Sequence, residues 1–433
     1  MSKTLSLLVL LLAAASVACE RDNSYYCPNA PHHNCFAVDA MPDAFVPDAP
    51  PDVPPPCTGN QDCSGDTSVC DIGGTRMCVH CTATEHAACT GTTPTCLSDN
   101  VCRACSAHSQ CDSKACLPDG SCGDDLSVAY VDPAGTGAVC TSAMPCKKVS
   151  DALATNRPYV KFHDVSNEAV SIDNNRVVTF LADPGAKLTR TSNGLLLEVK
   201  GTSQVTIYDL EISGASGTNN PGISIPTGSN STLALIRAVI RDNAGAGISM
   251  SGGGMLILTQ STVTGNVGGG VAITAGQYQL TNNVITKNGG PTSAFGGVLV
   301  LQVTTAGSHV FDFNTVARNA AGAGNTAGVT CALVSTPLTF TNSIVYDNGI
   351  GTQADGNNCS WSFSNIGPTP LAGPSNIGSD PLFVAPAQDN FHIQPASPAR
   401  DAADPTATQA VDIDGDVRPQ GIGRDMGADE VTP

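Results

Sequence analysis

From about residue 125 onward the chain alternates short apolar runs with polar turns. Strand starts recur at Gly222-Ile223-Ser224-Ile225, Gly247-Ile248-Ser249-Met250, Gly270-Val271-Ala272-Ile273, Gly297-Val298-Leu299-Val300 and Gly328-Val329-Thr330-Cys331. Between them runs a second phrase, RAVIRDN ending at Asn243, QSTVTGN at Asn266, NNVITKN at Asn288, FNTVARN at Asn319 and NSIVYDN at Asn348. The repeat length varies from 22 to 31 residues. Alternation with period two predicts strands. The same short unit returning in the same order predicts a solenoid, in which each turn stacks its inward side chains on the next.

The phrase assigns faces. Its fourth position is always aliphatic: Ile240, Val263, Ile285, Val316 and Val345. Two residues earlier stand Ala238, Ser261, Asn283, Asn314 and Ser343. Residues two apart share a strand face, so both columns are expected inside. The final Asn column suits a turn, because Asn tolerates left-handed backbone and stacked amides can hydrogen-bond along a ladder. Turns of this kind lie about 4.8 Å apart. Cys331 and Cys359, 28 residues apart, are one turn apart and are expected to share a column and form a disulfide. Cys140 and Cys146 are expected to close a small loop.

The first half has a different composition. Lys3, an apolar run over residues 5–15 and Ser16-Val17-Ala18-Cys19 form an export signal too short to span a bilayer. This segment resembles the lipobox of bacterial lipoproteins, which implies cleavage after Ala18 and lipidation of Cys19. An ordinary signal peptide cut at the same bond is the other reading. Cys27 and Cys35 bracket a short loop with His32 and His33. A local disulfide is expected there, since no second ligand pair has zinc spacing. The stretch ending at Pro56, AVDAMPDAFVPDAPPDVPPP, has many Pro and Asp and no Lys or Arg. It reads as an extended, semi-rigid spacer.

Three four-cysteine units follow: Cys57, Cys63, Cys70, Cys78; Cys81, Cys89, Cys96, Cys102; Cys105, Cys111, Cys116, Cys122. Their first cysteines are 24 residues apart. Units this small cannot build a core, and two disulfides in each would constrain them. Export favours disulfides over zinc, and the sequence leaves the pairing open. The expected organisation is a signal peptide over 1–18, a lipidated tether over 19–56, cysteine-rich repeats over 57–123 and the solenoid over 125–433. The fold class is all-β, a parallel β-helix behind a small disulfide-rich region.

Both ends of the solenoid carry further phrases. Tyr130-Val131-Asp132-Pro133, Gly135, Pro145, Lys148 and Ala152-Leu153 resemble the opening of right-handed parallel β-helices of the pectin-lyase-like superfamily, which implies a short capping helix next. Asp380-Pro381-Leu382-Phe383, Ser397-Pro398-Ala399-Arg400-Asp401, Asp414-Gly415, Arg418-Pro419 and residues 425–430 (DMGADE) resemble the close of bacterial surface β-helix proteins called choice-of-anchor Q. That group often carries a C-terminal anchor. This chain stops at Pro433, so Cys19 is the expected anchor.

Enzymes of the superfamily mostly act on acidic polysaccharides, so the resemblance raises catalysis as a question. A lyase neutralises a uronate with Ca²⁺ or Arg and removes a proton with Lys, Arg or Tyr. A hydrolase needs carboxylates converging on one face. The solenoid's middle has few carboxylates, and they do not cluster by column. The column before the turn Asn reads Asp242, Gly265, Lys287, Arg318, Asp347. Lys287 and Arg318, on adjacent turns, are the candidate catalytic or anion-binding pair, against the alternative of a solvated turn edge. Asp412, Asp414 and Asp416 are the candidate Ca²⁺ ligands, although the loop departs from the EF-hand pattern. No other cofactor is expected. A net charge of −18 disfavours nucleic acid and bare anionic membrane. One Trp and seven Tyr leave few sugar-stacking platforms. The expected function is that of an exported, lipid-anchored protein of the outer membrane or cell surface. Its solenoid would bind polysaccharide or another cell-surface component without catalysis. The alternative is a divergent lyase or glycoside hydrolase acting on acidic polysaccharide.

Overall fold

The computed structural model describes residues 55–301, 308–334, 337–349 and 352–432. The export signal, the spacer, Cys19, Cys27 and Cys35 lie outside the described residues. Among the described residues, three parallel sheets of seven, ten and nine strands dominate, and one turn of chain visits each in that order. Ile223–Ile225, Thr232–Ile236 and Val239–Arg241 make one such turn, and Ala246–Met250, Met255–Thr259 and Thr262–Thr264 make the next. This is a right-handed parallel β-helix.

Register follows the repeating phrase. Ile212, Ile240, Val263, Ile285, Val316, Val345 and Ile366 pair in series down the nine-stranded sheet and are all buried. At the far end the ten-stranded sheet stacks aromatic side chains inward. Phe311 and Phe340 lie 4.5 Å apart between centroids, and Trp361 packs edge-on against Phe340 at 4.9 Å. Trp361 therefore belongs to the core.

Two polar ladders run beside the apolar columns. The first is Asn243, Asn266, Asn288, Asn319 and Asn348, almost wholly buried. Each Nδ2 from Asn243 to Asn319 donates to the next Oδ1 at 2.8–2.9 Å. The second runs through Ser261, Asn283, Asn314, Ser343 and Ser364, each backbone N–H donating to the side-chain oxygen one turn on. The left-handed residue is not the ladder Asn but its predecessor: Asp242, Gly265, Lys287, Arg318 and Asp347 all have φ of +55° to +67°. That corner turns the Asn inward. The ladder also explains the glycines that open the last five strands of the seven-stranded sheet, Gly222, Gly247, Gly270, Gly297 and Gly328. A Cβ on Gly270 or Gly297 would stand 3.1 Å from a ladder amide and under 2.7 Å from a carbonyl oxygen of the next turn.

Cys331 and Cys359 are joined, with Cα atoms 5.6 Å apart, but they do not share a column. Cys331 lies in Val329–Ala332 of the seven-stranded sheet, and Cys359 opens Cys359–Ser362 of the ten-stranded sheet. The bond crosses the corner between two sheets, one turn apart. Val329 has already ended the regular ladder there and meets only Ala354 on the next turn.

Helix Val149–Ala154 buries Val149 and Ala152 at the solenoid's start, and the Glu168 carboxylate accepts the backbone N–H of Val149. Cys140 and Cys146 are bonded beside it. In each cysteine unit the first cysteine pairs with the third and the second with the fourth. The third unit docks onto the first turns, where Ala115 packs with Val128 and Tyr130.

The closing segment runs back along the outside of the nine-stranded sheet. Gln260 and Asn282 donate side-chain amides to the carbonyls of Asp412 and Val411. Ile393, Ala399, Met426 and Val431 cover Phe313 and Ile344. Beneath them Arg418 is fully enclosed. It meets Glu430 at 3.1 Å, donates to the carbonyls of Asp425 and Gly427, and lies over the Phe313 ring at 4.7 Å.

Candidate functional site

Lys287 and Arg318 lie one residue beyond the paired Thr286 and Ala317, so they occupy adjacent turns. They do not converge. Lys287 is ion-paired with Asp389, while the Arg318 Nε meets Asp347 at 3.2 Å. Both stand on the left-handed corner and are more than a third exposed. Each charge is neutralised by a different carboxylate, and the pair does not form a shared anion site.

Asp412, Asp414 and Asp416 are not a common ligand set either. The buried Asp412 carboxylate accepts the backbone N–H groups of Asp414, Asp416 and Glu430 at 2.8–3.0 Å. It serves as the hub of the turn. Asp416 points to solvent, and Asp414 reaches His392 at 2.8 Å.

Side chains with richer chemistry gather at the other end of the solenoid, under the third cysteine unit. There a cleft of about 760 Å³ opens between that unit and the ten-stranded sheet. Leu117, Pro118, Leu181 and Pro184 give it an apolar lining, and Ser106, His108, Asp183, Asp209 and Arg237 give it polar groups. A cleft of this size and mixture is the usual form of a ligand site. Arg237 and Asp209 sit on neighbouring turns in a two-bonded fork, with Nε to Oδ1 at 2.7 Å and Nη2 to Oδ2 at 2.9 Å. The guanidinium also lies over the Tyr208 ring at 5.6 Å.

Beside the fork, Lys161 is buried and ion-paired with Asp183, whose other oxygen meets His163 Nδ1 at 2.8 Å. Burial lowers the Lys161 pKa against the opposing pull of Asp183. Burial also works against the Asp183 charge, but hydrogen bonds from Lys161 and His163 outweigh it and hold that carboxylate below its ordinary value. His108 accepts the Cys116 N–H at Nδ1 at 3.0 Å, which requires the neutral imidazole there. Burial first, and the Lys161 charge second, push its pKa down in the same direction.

Of these residues only Arg237, which opens the phrase RAVIRDN, stands in the repeating phrase. The others come from the first turns and the cysteine unit, where no column repeats. The alternation of Val177–Ala182 and Gln204–Tyr208 was the available signal. It places Leu181 beside Tyr208, so Asp183 and Asp209 fall just past paired strands.

Residues 193–366 match the family described as right handed beta helix region. No curated protein matches the chain in sequence. Among solved structures the chain is similar to one described as the crystal structure of pectate lyase Pel9A, at 13% identity and a TM-score of 0.44. That similarity covers 70% of this chain and 96% of the other.

Proposed function

We propose that this is an exported surface protein that binds a glycan, or a similar polyhydroxylated surface component, at the cleft beneath the third cysteine unit, without cleaving it. The observation that carries the reading is the paired state of the cleft's charges. Arg237 holds Asp209, and Lys161 holds Asp183. Such a cleft offers planar donors and acceptors side by side with no large excess of either sign. Sugar hydroxyls, which both donate and accept, suit it better than a polyanion does. The chain's net charge of −18 points the same way.

The test is binding of the full chain to a panel of neutral and acidic glycans. One class is expected to bind, and Arg237→Ala is expected to weaken it at least tenfold, about 1.4 kcal/mol. Arg237 is about half exposed, so its removal leaves the core intact. Absence of binding across the panel, or binding indifferent to Arg237→Ala, overturns the assignment.

A second reading, a polysaccharide lyase, has one observation in its favour. Lys161 is a buried amine of lowered pKa, in a small pocket with His163 and Asp132. Such an amine suits proton abstraction. Shortening of an acidic glycan in the same panel, abolished by Lys161→Met, would replace binding by catalysis.

Export through a lipidated Cys19 is part of the proposal. Eight disulfides among the described residues suit an oxidising compartment. Cys19→Ser is expected to move the chain from the membrane fraction to the soluble fraction. Unchanged membrane retention would rule out the anchor.

A further inference from the structure

The closing segment builds a second feature that the repeat does not announce. Where it leaves the nine-stranded sheet, a groove of about 360 Å³ opens. Its floor is the outer face of that sheet, including Thr262 and Thr286, and its wall carries His392, Asp414 and Asp429. The ligand atoms of these three side chains all lie within 4.8 Å of one another.

Each is positioned by a different element. His392 stands in the strand Asn390–Ile393, paired antiparallel with Phe383–Ala385. Asp414 is presented by the turn that Asp412 organises, and Gly415 at φ +93° lets that turn close. Asp429 is buried, and its Oδ2 accepts the Ile393 N–H at 2.7 Å. Among the described residues neither Asp414 nor Asp429 forms an ion pair with a Lys or Arg. The His392 Nε2 lies 2.8 Å from the Asp414 carboxylate.

A separate observation on the floor points to a ligand. Thr286 is only 2% exposed and lines the groove, yet its Oγ1 has no hydrogen-bond partner among the described residues. A buried hydroxyl without a partner costs free energy unless something in the groove satisfies it.

We propose that His392, Asp414 and Asp429 bind a divalent first-row transition ion of the Zn²⁺ or Mn²⁺ class. Bonds of about 2.0–2.2 Å to one ion set ligand atoms about 3–4 Å apart, so side chains whose ligand atoms lie within 4.8 Å need draw in only slightly to hold it. One imidazole with two carboxylates favours such an ion over Ca²⁺, which takes six to eight oxygens and little nitrogen. His392 Nε2 and Asp414 already stand 2.8 Å apart, so one ion can reach both. Three protein ligands leave coordination positions open toward the groove, for water or a hydroxylated ligand. The three ligands are not part of the cleft under the third cysteine unit, although Arg237 lines both spaces, and failure of the metal site would leave that reading untouched.

The experiment uses the full oxidised chain, so that the paired cysteines do not compete for metal. After chelator dialysis, Zn²⁺, Mn²⁺ and Ca²⁺ are titrated separately by calorimetry. One equivalent of Zn²⁺ or Mn²⁺ is expected to bind at micromolar affinity or better. His392→Ala and Asp414→Asn are each expected to weaken it at least tenfold, and Asp416→Asn, outside the cluster, to leave it unchanged. His392 is about half exposed, so His392→Ala keeps the proposal testable if Asp414→Asn disturbs its turn. No binding, binding unaffected by His392→Ala, or Ca²⁺ bound as tightly as Zn²⁺ each overturns the assignment.

Discussion

Arg418→Met is expected to loosen the closing segment by about 3–5 kcal/mol at pH 7, the usual effect of breaking a buried ion pair from one side. Methionine fills much of the space over Phe313 but leaves the enclosed Glu430 carboxyl without its ion-pair partner. It also removes the donors to the Asp425 and Gly427 carbonyls. The loss should depend on pH through Asp425. Burial pushes that carboxyl up to about 6, against the backbone N–H groups of Asp401 and Val431 and the charge of Arg418. Its unfolded value is about 3.9, so the folded chain holds the proton more tightly. The contribution is therefore greatest below about pH 4 and is lost as pH rises through 6, by roughly 3 kcal/mol in all. Removing Arg418 raises Asp425 further, so the variant should recover part of its loss at pH 5. Amide exchange over residues 399–431, at pH 7 and pH 5, reads both effects. Equal protection in variant and parent at pH 7 would show that the network does not hold the segment.

That network also shows which parts of the molecule the sequence could reveal. Ile240, Val263, Ile285, Val316 and Val345 were visible as a column because identical environments stacked turn on turn select the same residue type. The Asn ladder was visible for the same reason. Its left-handed corner falls one residue before the Asn that ordinarily signals that backbone, on Asp242, Lys287 and Arg318. The closing phrase was legible as a phrase, but its role was not. Asp412, Arg418, Asp425 and Glu430 serve one another and the outer sheet through contacts that span up to 152 residues. Such contacts carry no period.

The candidate sites were less legible for a related reason. Lys287 and Arg318 looked like a pair because register alone made them neighbours. Register does not specify partners, and Asp389 and Asp347 each claim one of them. Asp414 was singled out with Asp412 and Asp416 by local spacing. The structure sends it instead to His392 and Asp429, 22 and 15 residues away in sequence. The cysteine pairing was undetermined because each unit allows three pairings and spacing favours none.

Asn288→Ala is expected to cost about 3–5 kcal/mol, more than an ordinary core truncation of the same size, because it strips partners from buried groups on both sides. Asn288 Oδ1 accepts the backbone and side-chain N–H groups of Asn266 at 3.1 and 2.8 Å. Its Nδ2 donates to the Val263 carbonyl and to Asn319 Oδ1, both at 2.9 Å. Alanine makes none of these bonds, and water has no access to replace them. Each abandoned buried group loses about 1–3 kcal/mol, partly recovered by relaxation. Asn288→Asp should do no better, since a carboxylate accepts from Asn266 but cannot donate to Val263 or Asn319. Ser261→Ala, in the second ladder, should cost less, since its hydroxyl accepts a single inter-turn N–H, from Ala238 at 3.0 Å. A solenoid transmits stability between neighbouring turns. Amide exchange should therefore rise most in the turns carrying Asn266, Asn288 and Asn319, and fade toward the ends. Uniform loss along the solenoid would show that it unfolds as one block. A loss near that of Ser261→Ala would mean that packing, and not the amide ladder, holds the turns in register.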